Sequence, residues 1–275
     1  MIDPMDRSFL AALCLARAGL SVDPAKSYLI ESRLGPVARR EGFASPDALI
    51  TALRSQPDDR MAWATVEAMT LPETEFFRDR PMFEYLVRQV LPQLAHRRAG
   101  APVRVWSMAC GGGQEIYSLA MMLADAPGAA LPVELFGSDL SERSLEKAQA
   151  GLYSQFEVQR GLRARDLVRN FEARGEAFML SPRIRQMVRW RRVNLLDDLS
   201  RFGSFDLLLC RNVLSGLVPE ARARVLSALR QTLAPGGRLV LGPKDDGGPN
   251  LMKVDHSLGI YVAPDDPADR AAVMI

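Results

Sequence analysis

Histidine is the scarcest chemistry-bearing residue of this 275-residue chain, with only His96 and His256 present. Two copies so far apart leave no local histidine cluster for a metal and no ready base for a Ser–His–Asp triad. Cysteine is nearly as rare. Cys14, Cys110 and Cys210 are odd in number and widely separated, so they make neither a zinc spacing nor a disulfide framework. A reducing, cytoplasmic setting is therefore expected. Neither sign of charge is in excess: a net charge of +2 leaves any basic patch to be local. There is no basic stripe interleaved with aromatics, so no nucleic-acid partner is expected. No apolar run approaches the roughly 20 residues of a membrane span. The opening Met1-Ile-Asp-Pro-Met-Asp6 lacks the basic region and apolar core of a signal peptide. What remains, 48% hydrophobic and 25% charged, is an ordinary globular composition without internal repeats, long enough for one large domain or two.

The most informative stretch runs from Val103 to Ser118. Its apolar beginning, Val103 to Met108, reads as a buried strand. Gly111, Gly112 and Gly113 then turn the chain, and Ile116, Leu119, Ala120 and Leu123 keep helical spacing. Strand, glycine turn and helix together form the layout of a nucleotide-type cofactor site, where missing Cβ atoms let a ligand approach the main chain. A second apolar run, Val133 to Gly137, ends in Ser138-Asp139. An acid at that strand end is suited to accept hydrogen bonds from ribose hydroxyls. The turn lacks the third glycine of a dinucleotide fingerprint, and Glu115 opens its helix. A carboxylate there repels a pyrophosphate and suits a ligand with cationic groups and no phosphate. S-adenosylmethionine answers that description.

Residues 1–70 read as a small all-α domain. Helical spacing through Leu10, Leu13 and Cys14 stops at Gly19. Asp23-Pro24 is expected to cap a helix running to Arg40, Ser45-Pro46 one reaching Leu53, and Gln56-Pro57-Asp58 a fourth. The second helix carries Lys26, Arg33, Arg39 and Arg40. Residues 71–98 are a linker and a connecting helix, the helix spanning Pro81 to Leu94. Adjacent Phe76 and Phe77 must pack against or close over something. From residue 99 to 275 strands alternate with helices, which implies a mostly parallel sheet covered on both faces. An irregular basic insertion, about 151–187, is expected to be loop-rich with a short helix or small hairpins. Strands follow at Val188–Val193, Phe205–Cys210, Arg238–Gly242 and Ser257–Val262. A helix from Pro219 to Leu233 is closed by Ala234-Pro-Gly-Gly237, and the tail from Pro264 is expected to fray.

Taken in order, several of these pieces resemble the CheR-type chemotaxis receptor methyltransferases over nearly the whole chain. They are the helical beginning, Thr74-Glu-Phe-Phe-Arg78, Trp106 to Glu115 with Tyr117-Ser118, and Ser138-Asp139. Ala150-Gly-Leu-Tyr153, Val193-Asn194-Leu195, Cys210-Arg211-Asn212-Val213 and Pro235-Gly-Gly237 complete the set. The resemblance implies a Rossmann-like class I methyltransferase domain after an all-α domain, with a β-subdomain insertion. It implies S-adenosylmethionine-dependent methyl transfer to receptor glutamates, with S-adenosylhomocysteine as product. By position, Thr74 and Arg78 would reach the amino acid end of the cofactor, with Glu115 beside it. Ala109, Gly111 and Gly113 would line the turn, and Asp139 would meet the ribose. Asn194 and Leu195 would surround the adenine; Arg211 and Asn212 would lie near the methyl group, with Arg78 as a further candidate for catalysis. The implied partner is the cytoplasmic domain of a chemoreceptor, an acidic helical surface meeting Arg33, Arg39 and Arg40, and the protein is expected to be a monomer.

The sequence departs from the family pattern at three points. Pro72 stands where an asparagine is usual, Gly216 where a tyrosine is usual beside the methyl, and Gly242-Pro-Lys-Asp245 where Gly-His-Ser-Glu is usual. The second touches the reaction directly. It leaves open two alternatives: a cofactor-binding regulator with little or no turnover, and a methyltransferase for another acceptor.

Overall fold

The computed structural model describes residues 2–70, 74–126, 131–255 and 257–264. The expectations for Pro72 and for the tail beyond Pro264 fall outside them. The chain forms two compact units: Met1–Leu71 with Ser215–Val225, and Pro72–Leu214 with Leu226–Ile275.

The first unit contains helices α1 (Pro4–Ala18), α2 (Ser27–Arg40), α3 (Pro46–Ser55) and α4 (Asp59–Met69). Three of them start as their sequences dictate. Asp3, Ser45 and Asp58 each accept a main-chain amide of the following turn, from Met5, Ala48 and Met61. Gly19, left-handed at φ 64°, closes α1. The expected cap at Asp23-Pro24 is corrected: α2 begins at Ser27, after a turn. The Asp23 side chain accepts from Ala25 N at 3.0 Å, a bond to its own backbone two residues on that competes with helix initiation. Leu10, Ile30, Leu34, Leu49, Ile50 and Val66 are buried. Ser215–Val225 joins this unit through main-chain bonds, Ser21 N to Gly216 O and Val218 N to Gly19 O, both 2.9 Å.

In the second unit the connecting helix is segmented, not continuous from Pro81 to Leu94. It runs as α5 (Arg80–Tyr85), a π-turn (Leu86–Val90) and α6 (Leu91–Arg97). Pro92 has no amide to continue an α-helical ladder, and the wider turn precedes it. Then come β1 (Val103–Met108), α7 (Gln114–Asp125), β2 (Val133–Asp139) and α8 (Glu142–Ala150). The insertion is more ordered than the sequence suggested. It holds β3 (Leu152–Ser154), α9 (Gln155–Gln159), α10 (Ala164–Asn170), β4 (Phe171–Arg174), β5 (Ala177–Leu180) and α11 (Pro182–Arg185). Its strands are three or four residues long, too short to show a period, and pair antiparallel as β3-β5-β4.

The chain continues with β6 (Val188–Arg192), β7 (Phe205–Cys210), α12 (Pro219–Thr232), β8 (Leu233–Leu241), β9 (Met252–Asp255) and β10 (Ile260–Val262). Seven strands form one sheet in the order β6-β2-β1-β7-β8-β10-β9. The first five lie parallel, and β10 pairs antiparallel with both β8 and β9. The Rossmann-like, mostly parallel architecture is therefore present. Two strand limits differ from expectation. Ala234–Gly237 lies inside β8: Leu233 pairs with Phe205, the register then shifts, and Arg238 pairs with Leu207. Gly236 at φ 72° supplies the bulge conformation in a segment that the sequence suggested as the close of the preceding helix. The last expected strand narrows to β10, and the short edge strand β9 was missed altogether. Phe83, Leu86, Val105, Tyr117, Leu135 and Leu209 belong to the continuous core beneath the sheet and its helices.

Candidate functional site

From β1 the chain steps to β2 and β6 on one side, and β7 and β8 occupy the other. The direction reverses between β1 and β7, and ligands of open α/β sheets bind at the carboxyl ends there. Parallel strands bring their following loops to one end of the sheet. Ala109–Gly113, Asp139, Asn194-Leu195 and Arg211-Asn212 all follow such strand ends.

The glycine turn is held from several directions. Ala109, Gly111 and Gly113 have φ of 48°, 56° and 86°. Cys110 N donates to Ser138 O at 2.9 Å, and Gly111 N to Asp139 Oδ2 at 2.8 Å. The Tyr153 hydroxyl donates to Gly112 O at 2.7 Å. A Cβ on Gly113 would come within 2.8 Å of the Trp190 ring, so packing requires glycine there as well as conformation.

Asp139 is 8% exposed. Its Oδ1 accepts from Ser141 N at 2.8 Å, so each carboxylate oxygen already holds a main-chain amide. A carboxylate oxygen can accept a second bond, so the acid can hold these amides and still meet a ligand hydroxyl. Burial pushes its pKa up, against the pull of the amides. Bracing the turn is a role for Asp139 that the sequence had not shown.

Glu115, in the first turn of α7, accepts from Ser107 Oγ at 2.8 Å and pairs with Arg211 at 3.1 Å. Arg211 is buried and also donates to the Arg78 carbonyl at 3.2 Å and pairs with Asp79. This guanidinium therefore fastens the linker to α7. One formal positive charge against two carboxylates leaves the cluster net negative, which fits a phosphate-free cationic ligand.

The linker itself is strained. Phe77 and Asp79 sit at φ of 50° and 60°, left-handed values that cost non-glycine residues about 1–3 kcal/mol each and persist only where the surroundings impose them. The surroundings do. Phe77 N donates to Ser118 Oγ at 2.8 Å, and the Arg80 guanidinium lies 3.7 Å over the Phe77 ring while pairing with Asp166. Phe76 meets Tyr153 and Phe171 edge-on at 4.9 and 5.5 Å. The aromatic pair packs rather than standing in solvent. Thr74 and Arg78 are half-buried beside it.

Asn212, left-handed at φ 59°, donates its amide to Asp245 Oδ2 at 2.9 Å. A Cβ on Gly242 would lie 2.6 Å from that same nitrogen. Gly242 and Asp245 thus hold Asn212 in position; the sequence offered only their departure from the usual motif. Asn194 Oδ1 accepts from Leu196 N at 3.1 Å, and Leu195 is half-buried. In the first unit Arg33 is partly buried and donates to Met69 O at 3.1 Å, and desolvation lowers its pKa. Arg39 and Arg40 are exposed, the latter paired with Glu41. Gly216 ends a short 3-10 turn in the open, and a Cβ there would meet nothing within 4 Å.

Among the described residues there is no cluster of His, Cys, Asp and Glu able to hold a metal, and no helix long and apolar enough to cross a membrane. Residues 5–70 match the family described as CheR methyltransferase, all-alpha domain, and residues 72–252 match CheR methyltransferase, SAM binding domain. The chain is 36% identical to Chemotaxis protein methyltransferase 1 of Pseudomonas aeruginosa over 87% of this chain and 88% of that protein. It is 34% identical to Chemotaxis protein methyltransferase Cher2 of Pseudomonas putida with the same coverage. It is also 34% identical to the probable biofilm formation methyltransferase WspC of that organism, over 83% of this chain and 54% of the relative. With a net-negative cluster and a braced glycine turn at the switch point of its sheet, the chain belongs to the CheR methyltransferase family and takes S-adenosylmethionine as its cofactor.

Proposed function

We propose that the protein transfers methyl groups to glutamate side chains on the cytoplasmic domain of a chemoreceptor, giving methyl esters. The observation that carries this reading is the cluster of Arg211 with Glu115, Asp79 and the Arg78 carbonyl. It ties the linker to the first turn of α7 within one unit, and transfer to a carboxylate makes no demand for a general base. An acceptor carboxylate needs none, because it is already ionised at neutral pH. When bound, S-adenosylmethionine supplies an electrophilic methyl on a good leaving group. The residues of the chain then have to bind, orient and exclude water.

In this reading Glu115 faces the cofactor's ammonium, while Thr74 and Arg78 take its carboxylate. Ala109, Gly111 and Gly113 line the turn, Asp139 accepts from the ribose, and Asn194 and Leu195 flank the adenine. Asn212, held by Asp245, lies toward the methyl. Arg211 is a positioning residue, since its donors are committed to Glu115 and the linker. Exposed Arg39 and Arg40 meet the acidic receptor helices and speed encounter, whereas Arg33, tied to Met69, contributes less.

A second reading, a cofactor-binding regulator with little turnover, is favoured by Gly216. Its backbone is not left-handed and the space beside it is open, so a tyrosine fits there without rebuilding the turn. Gly216→Tyr is expected to speed transfer by about tenfold or more if a missing hydroxyl limits the rate. The deciding experiment is calorimetry with S-adenosylhomocysteine, followed on the same sample by labelled methyl transfer to receptor fragments. Binding with base-labile label on the receptor supports the main reading. Binding without transfer, restored by Gly216→Tyr, supports the second.

A further inference from the structure

The insertion reaches the cofactor turn directly. Tyr153, in β3, is fully buried. Its hydroxyl donates to Gly112 O at 2.7 Å, across 41 residues of sequence. The same ring stands edge-on to Phe76 of the linker at 4.9 Å and to Phe171 of β4 at 6.2 Å. One side chain therefore touches the glycine turn and the segment that carries Thr74 and Arg78. Backbone contact reinforces this: a Cβ on Gly161 would lie 1.7 Å from Phe76 O, so the insertion's chain runs flush against the linker. From strand β2 the turn is braced through Cys110 N and Gly111 N, both pointing to one side. The Gly112 carbonyl, in the middle of a turn with three left-handed residues, takes its donor from the insertion. A buried carbonyl without a donor costs about 1–3 kcal/mol, a cost relieved by letting the turn move.

We propose that Tyr153 is a positioning residue that registers the linker on the glycine turn, so that the insertion sets cofactor affinity as well as whatever it does for the acceptor. This rests on the assignment of S-adenosylmethionine to the turn and is independent of which acceptor is methylated. Coupling of this kind is reciprocal: cofactor binding must also steady β3.

The test is calorimetry with S-adenosylhomocysteine on Tyr153→Phe, which keeps the ring and its aromatic contacts and removes only the hydroxyl. Tyr117→Phe is the control. It removes a bond of the same kind, from the Tyr117 hydroxyl to Ala148 O at 2.8 Å, that joins α7 to α8 rather than the turn to the insertion. The expected result is a five- to tenfold weaker Kd for Tyr153→Phe, little change for Tyr117→Phe, and similar unfolding midpoints for the two. Unchanged affinity in Tyr153→Phe, or equal weakening in both variants, overturns the proposal. If Tyr153→Phe does not fold, hydrogen exchange on the unaltered protein decides. Residues 152–154 should exchange severalfold more slowly when S-adenosylhomocysteine is added. Protection of residues 109–113 with no change at 152–154 overturns the coupling. Failure to bind S-adenosylhomocysteine at all would instead refute the cofactor assignment, which separates the two failures.

Discussion

Two stretches of this chain hold left-handed backbone beside the same site, and they do it by opposite means. The turn at 109–113 uses glycine at two of its three left-handed positions, so its shape costs little and a few bonds to its main chain, from Asp139 and Tyr153, suffice. The linker at 77–79 uses phenylalanine and aspartate in that conformation and must be forced into it. The force comes from an ion cluster, a cation over an aromatic ring and a buried amide-to-hydroxyl bond. The turn draws its shape mainly from its own glycines, with tertiary bonds as braces, whereas the linker takes its shape from tertiary contacts alone. Substitutions at distant residues should therefore disturb the linker far more than the turn.

The largest effect is expected from Arg211→Met. Removing the shared cation leaves Glu115 and Asp79 without it, and breaking a buried pair costs about 3–5 kcal/mol. The lower end applies, because Asp79 is 52% exposed. Urea unfolding reads this directly, and a loss below about 1 kcal/mol would break the contrast. Next, Asp139→Ala should weaken S-adenosylhomocysteine binding by about 1–3 kcal/mol, since it removes the brace of Gly111 along with any ribose contact. Affinity unchanged in calorimetry would show that glycine content alone shapes the turn. A smaller change, about 1 kcal/mol of stability, is expected of Asp79→Asn, which tolerates the left-handed backbone but gives up the charge.

Smallest is a pH slope. Burial raises the Asp139 pKa in the folded state above its unfolded value, so the folded protein binds the proton more tightly. Its contribution to stability is present in acid below the unfolded carboxylate range and is lost as pH rises through the raised pKa. Asp139→Asn should flatten that part of the stability profile; an unaltered slope assigns it to other groups.

The sequence made the turn legible because glycines and an apolar strand announce themselves over a few residues. It made α1 legible through apolar spacing that stops at Gly19, and α3 and α4 through their capping side chains. It could not show that each oxygen of Asp139 accepts a main-chain amide, because Gly111 and Ser141 meet it only after β1 and β2 pair. Asp245 escaped for the same reason, lying 33 residues from the Asn212 amide it holds. Asp23 misled because its side chain serves a turn as readily as a helix cap. The bulge in β8 was invisible because Pro-Gly-Gly reads as the close of a helix until a neighbouring strand pairs on either side of it.

The close approach of Gly161 to the Phe76 carbonyl has a consequence for anyone exchanging parts between relatives. No side chain larger than hydrogen fits at that point of contact. The linker and the insertion form a matched lock, and a chimera that imports one without the other should misseat both. Swaps meant to redirect the acceptor should carry residues 74–80 and 151–187 together.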